Sequence, residues 1–173
     1  MCDLSTYKID LKGLSTPQAM LAFALDNDFF KSINAPDVHQ GKADVRLFIR
    51  KTADFFELMF HIEGEVLIPC NLCLDDMVQP VVAETKLTVK MGDTYTEDDD
   101  LIVIDRQDGT IDVAWFIYES IVLAIPIRHV HQPGVCNTAM AVKLHELSTA
   151  RSSSNGKEQE VDPRWEALKK LKY

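Results

Sequence analysis

Three stretches between residues 43 and 91 alternate polar and apolar residues with a period of two, which suits a half-buried strand and scatters apolar groups around a helix. In "ADVRLFIRK" (43–51), Val45, Leu47 and Ile49 share one side, and Arg46 and Arg50 the other. "FFELMFHIEGEVLI" (55–68) alternates through Phe56, Leu58, Phe60 and Ile62. "VVAETKLTVKM" (81–91) sets Ala83, Thr85, Leu87, Val89 and Met91 against Glu84, Lys86, Thr88 and Lys90. "KTAD" (51–54) is short enough to fold the first strand back on the second, and Gly64 predicts a bulge in the second. The expected assembly is a curved antiparallel β-meander with one face in the core and the other in water.

The remaining segments must cover that sheet. "YKIDLKGL" (7–14) reads as an opening strand. "STPQAMLAFALDNDFF" (15–30) reads as a short helix, with Ser15 or Thr16 as cap, Pro17 in the first turn, and Met20, Leu21, Ala24 and Leu25 as its apolar face. "DVAWFIYESIVLAIP" (112–126) reads as a second helix, capped by Asp112 and stopped by Pro126. It is apolar around so much of its circumference that it has to lie buried on the sheet, with Trp115 and Phe116 in the core. The acidic run Glu97 to Asp100 lacks the spacing of a calcium loop and reads as solvated. The fold class is therefore α+β, an antiparallel β-meander with one buried helix packed on it.

A chain of 173 residues, 46% of them hydrophobic, can bury one substantial core, which we assign to a single domain over residues 1–147. "STARSSSNGKEQE" (148–160) has almost nothing apolar to bury and predicts a flexible linker. "VDPRWEALKKLKY" (161–173) then restarts a helix, with Asp162 as cap, Pro163 and Arg164 in the first turn, and Trp165, Leu168 and Leu171 on one stripe. Such a stripe seeks an apolar surface, and a C-terminal docking helix is the expectation.

No stretch approaches the roughly 20 apolar residues that cross a bilayer, and the first 25 residues lack the pattern of a secretory leader. Cysteines occur at Cys2, Cys70, Cys73 and Cys136. These are too few and too unevenly spread for a secreted disulfide framework, so a reducing, cytoplasmic setting is expected. Net charge is −9; residues 1–140 hold 11 Lys or Arg against 22 Asp or Glu, and residues 141–173 hold 7 against 5. An acidic body makes a poor general clamp for nucleic acid, so any RNA contact has to be local or made through a partner. The chain carries no G-x-S-x-G, phosphate loop, dinucleotide fingerprint or H-E-x-x-H. Nothing in it advertises an enzyme or a small-molecule substrate.

The chemistry concentrates in "IPCNLC". A thioredoxin-type pair needs its thiolate at a helix N-terminus, whereas Asp75 and Asp76 follow here, and nearby carboxylates disfavour a thiolate. A Cys-x-x-Cys in a turn after a strand is instead the usual half of a zinc site. "RHVHQPGVC" (128–136) is the segment able to complete it, with His131 and Cys136 spaced around a Pro-Gly turn and His129 as a spare imidazole. The candidate metal ligands are Cys70, Cys73, His131 and Cys136, with structural zinc as the cofactor; two buried thiols are the alternative. Cys2 reads as a bystander, and His39, His61 and His145 as isolated.

Taken in order, "CNLCL" after a strand, the acidic loop, "IDVAWFIYESIVLAIPIRHVH", the lone "GVC" and "DPRWEALKKL" resemble the YceD family of bacterial and plastid large ribosomal RNA subunit accumulation proteins, over roughly residues 60–173. The carrying residues are Cys70, Cys73, Leu74, Asp112, Glu119, Pro126 and Asp162-Pro163-Arg164. Many members carry further cysteines after the proline that ends the helix, where this chain keeps only Cys136. The resemblance implies a non-enzymatic role in ribosome biogenesis, with ribosomal RNA or ribosome-assembly proteins as partners.

For direct RNA contact the outward cations Arg46, Arg50, Lys86 and Lys90 are the candidates, and for protein partners Asp162, Pro163, Arg164, Trp165, Leu168 and Leu171. Two alternatives come from other classes. One is a metal-dependent enzyme acting on RNA through Asp112, Glu119 and the Cys/His cluster; the other is a regulatory module binding another translation component.

Overall fold

The computed structural model describes residues 4–93, 96–98 and 101–147. A 3-10 turn at Leu4–Tyr7 leads into β1 (Lys8–Asp10), β2 (Gln18–Leu25) and α1 (Asn27–Ser32). The three alternating stretches become the long strands β3 (Gln40–Lys51), β4 (Phe56–Pro69) and β5 (Asp76–Gly92). The short β6 (Thr96–Asp98), β7 (Leu101–Asp105) and β8 (Thr110–Asp112) follow, then α2 (Ala114–Leu123) and α3 (Thr138–Leu147). Six strands form one sheet in the order β2-β3-β4-β5-β7-β6, and β1 pairs with β8 in a separate ribbon. The meander is antiparallel from β2 to β5, and β7 is added to β5 in parallel.

The period-two pattern places side chains as it predicts. Val45, Leu47, Ile49, Leu58, Phe60, Ile62, Val81 and Val89 are buried on one face, where they join Phe29 and Phe30 of α1 and Ile117 and Ile121 of α2 in a single apolar cluster. Two expectations fail within this frame. Gly64 makes no bulge, because it pairs with Ala43 on one side and Val81 on the other in unbroken register. What requires glycine is close approach, since a Cβ there would lie 2.3 Å from the Lys42 carbonyl oxygen and 2.5 Å from the Ala43 Cα.

Residues 18–25, expected to be helical, form the edge strand β2. "QAMLAFAL" satisfies both periods, and β3 offers it a partner along its whole length, from Gln18 opposite Arg50 to Leu25 opposite Ala43. Tertiary pairing overrides the helical preference of three alanines. Leu21 and Leu25 turn inward while Met20 and Ala24 face solvent, so the expected apolar face is split between the two sides of the sheet. The helix follows later and is brief: the Asp26 carboxylate accepts the amides of Asp28 and Phe29 and starts α1.

α2 lies against β4 and β5 as expected, burying Ala114, Ile117, Tyr118 and Ile121. Val113 takes the cap position, and the Asp112 carboxylate accepts the Ala114 amide at 3.0 Å. Trp115, expected in the core, is 45% exposed, and its indole donates to Glu119. The chain divides into two compact units, Met1–Cys136 and Asn137–Tyr173. The second opens with α3, an element absent from the expectations above. Its amides at Ala139 and Met140 are capped by the Asn137 side chain. Cys2 and the segments expected as linker (148–160) and docking helix (161–173) lie outside the described residues.

Candidate metal centre

The turn between β4 and β5 is built around the Cys70 sulfur. The Cys70 amide donates to the Asp75 carbonyl at 2.9 Å, and the Leu74 amide to the Cys70 carbonyl at 3.0 Å. Leu74 closes the turn in the left-handed region at φ 65°. This curl aims the Leu72 amide at Cys70 Sγ from 3.4 Å. The segment after α2 approaches from the other side, with the His131 amide 3.5 Å from the same sulfur. Asn71 locks the two segments together: its amide donates to the His129 carbonyl at 3.0 Å, and its side-chain oxygen accepts the His129 amide at 2.7 Å.

As a result, one ligand atom from each of Cys70, Cys73, His131 and Cys136 lies within 4.8 Å of all the others. Cys70 Sγ and Cys136 Sγ are 3.9 Å apart, Cys73 Sγ and His131 Nδ1 3.3 Å, and Cys136 Sγ and His131 Nδ1 3.9 Å. A tetrahedral zinc with bonds of about 2.0–2.3 Å sets its ligand atoms roughly 3.5–3.8 Å apart, so the set fits a four-coordinate ion. With Nδ1 facing the sulfurs, His131 Nε2 donates to the Asp76 carbonyl at 3.3 Å. That second contact fixes ring orientation and tautomer.

The electrostatics follow the geometry. Burial would raise the Cys70 thiol, but the amides of Cys73, Leu72 and His131 outweigh it and bring the group down to about 6. Burial pushes Cys136 up to about 11, helped by the neighbouring sulfurs of Cys70 and Cys73. Burial opposes protonation of His131, yet hydrogen bonding with Cys73 and Cys70 prevails and raises it above its usual range. Cys70 is thus held as the anion that a metal takes as ligand, within a set that protein atoms alone can saturate.

A family model described as "Large ribosomal RNA subunit accumulation protein YceD" matches residues 58–172. The chain belongs to the YceD family. The "Uncharacterized protein YlbN" of Bacillus subtilis (strain 168) is 32% identical over 133 residues, covering 76% of this chain and 72% of that protein. No solved structure matches.

The YceD-matched span contains all four cluster residues and α2, while Arg46 and Arg50 precede it. His129 stays outside the cluster; its Nδ1 lies 2.9 Å from the Pro126 carbonyl oxygen. Asp112 and Glu119, the other acidic residues singled out, are engaged locally by the Ala114 amide and the Trp115 indole. Arg46, Arg50 and Lys86 come together on the outward sheet face, each bonded to a carboxylate: Arg46 to Glu63, and Arg50 and Lys86 both to Glu57. Lys90 lies two residues beyond Thr88 on the same strand, and it is exposed. Asp162 to Leu171 fall outside the described residues. Among the described residues, no helix is long and apolar enough to cross a membrane.

Proposed function

We propose that the chain is a non-catalytic factor supporting accumulation of large-subunit ribosomal RNA during ribosome biogenesis, and that Cys70, Cys73, His131 and Cys136 hold a structural zinc ion. The observation that carries the functional reading is the YceD match over residues 58–172. The zinc reading is supported by the ligand spacing and by the amides that stabilise a Cys70 thiolate. A zinc ion bound there would supply cross-linking rather than reactivity, because four protein ligands leave no open coordination position. The chain's own residues set up that cross-link: the β4–β5 turn presents two sulfurs, Asn71 holds the opposite segment in place, and Asp76 orients the imidazole.

The partners on this reading are ribosomal RNA or assembling large-subunit proteins, met in the cytoplasm where thiols stay reduced. Sedimentation of ribosomal particles from cells with and without the protein tests the role. Loss of the protein should lower large-subunit RNA relative to small-subunit RNA, with the protein recovered on large-subunit precursors. Equal RNA levels in the two cell types would overturn it. Cleavage of precursor ribosomal RNA by the purified, metal-loaded protein would replace this reading with the enzymatic one.

A further inference from the structure

The outward face of the meander carries an arrangement that the metal centre does not explain. Strand register places Met20, Phe48, Met59 and Lys86 side by side across β2, β3, β4 and β5. The first three of these are 63%, 41% and 43% exposed, a continuous apolar strip on a surface that ordinarily alternates to polar. A cavity of about 570 Å³ opens over the strip, lined by Phe48, Met59, Arg46, His61, Glu84 and Lys86.

The adjacent row is Gln18, Arg50, Glu57 and Thr88. Here Glu57 is 6% exposed, and its carboxylate binds Arg50 and, at 2.8 Å, Lys86. The side chains of Arg50 and Lys86 remain 54% and 59% exposed. One shielded anion therefore fixes two cationic heads at the surface beside an aromatic ring, and the trio presents a net positive charge. Lys90 continues the cationic line along β5. The acids Asp44, Glu63, Glu65 and Glu84 lie on the other side of the apolar strip.

We propose that this face binds single-stranded RNA, with a base stacked on Phe48 between the two methionines and the backbone phosphates running along Arg50, Lys86 and Lys90. This rests on the ribosomal-RNA reading above and names the contact within it. An exposed aromatic on a sheet with fixed cations beside it recognises an unpaired base by its face and a backbone by its charge, and both contacts tolerate any sequence. A duplex keeps its base faces stacked on one another and offers Phe48 nothing. The acidic flank limits the cationic track to a few phosphates, which agrees with a chain too acidic to clamp RNA broadly.

The test uses the full-length protein and a fluorescein-labelled 12-nucleotide mixed-sequence RNA, single-stranded or annealed to its complement, read by anisotropy across a salt series. Binding to the single strand and not to the duplex is expected. Phe48→Ala should weaken binding about tenfold or more, and Phe48→Trp should preserve it. Lys90→Ala, which breaks no described ion pair, should lower the salt slope by roughly 0.7, the contribution of one phosphate on a single strand. Melting curves check that each variant folds.

Equal affinity for duplex and single strand, or unchanged binding by a folded Phe48→Ala variant, would overturn the proposal. So would Phe48→Ala abolishing association with a ribosomal protein while the RNA affinity stays at its original value. Complementation separates this failure from that of the broader reading. If the protein is needed for large-subunit RNA but Phe48→Ala supplies that need in full, the sheet-face contact is wrong and the ribosomal role stands.

Discussion

Glu57 is the one charged side chain buried among the described residues, and its protonation ties the outward face to the stability of the sheet. Hydrogen bonds from Lys86 first, then Arg50, hold its carboxyl below the ordinary value of 4.5. A depressed carboxyl contributes stability that is present above the unfolded-state value and lost as pH falls through the lower folded-state value. Acid titration below about pH 4.5 should therefore weaken the wild-type protein. Glu57→Gln should be less stable at pH 7 and flatter in that acid range. Urea midpoints at pH 7 and pH 4 check this; an equal loss at both would exonerate the ion trio. At the metal centre, Cys73→Ser should reduce zinc from about one ion per chain to well below that, read by metal analysis of protein purified without chelator. The gathering of Cys70, Cys73, His131 and Cys136 was legible in the sequence because thiol and imidazole types at turn spacing announce themselves. Asn71 and the Asp76 carbonyl were not, because what they contribute is position: an amide that happens to face His129, and a backbone oxygen that every residue owns.

Among the elements, those with a strict period of two declared themselves; β3 and β5 start earlier than expected, at Gln40 and Asp76, and β4 is shifted by one residue to Phe56–Pro69. β2 stayed hidden because alanine fits either period, so only the neighbouring strand decides. That decision has a measurable consequence at Ala22, which is exposed and pairs with Arg46. A β-branched residue suits an exposed strand position and strains a helix, so Ala22→Thr should be neutral or stabilising by up to about 1 kcal/mol in urea unfolding. A loss of about 0.5 kcal/mol or more would speak for the helix instead. Trp115 was misplaced for a related reason. A helix apolar all round gives no direction from its pattern, and packing against β4 and β5 selected Ile117 and Ile121 as the inward pair. For α3, the Asn137 cap was the available start signal, and its closeness to the Pro-Gly turn obscured it.

At the scale of the whole molecule, the docking-helix proposal for residues 161–173 stands on their sequence and separates cleanly from the sheet-face contact. Deleting them should leave the melting temperature of the remaining protein unchanged and abolish its co-sedimentation with large-subunit precursors. A lowered melting temperature would mean that the Trp165, Leu168 and Leu171 stripe packs on its own chain. The candidate metal centre has a global consequence of its own, because its two halves are held by different means. Cys70 and Cys73 ride the turn between the two longest strands, of 14 and 17 residues, whereas His131 and Cys136 sit in an irregular segment secured through Asn71. Local opening takes the route with the fewest buried contacts. In a chelator, amide hydrogens of the 126–136 segment should exchange with solvent quickly, while those of Leu58 and Val89 keep the slow exchange of global unfolding. The centre would then act as a latch on one strap of the protein, with the sheet beneath keeping its own time.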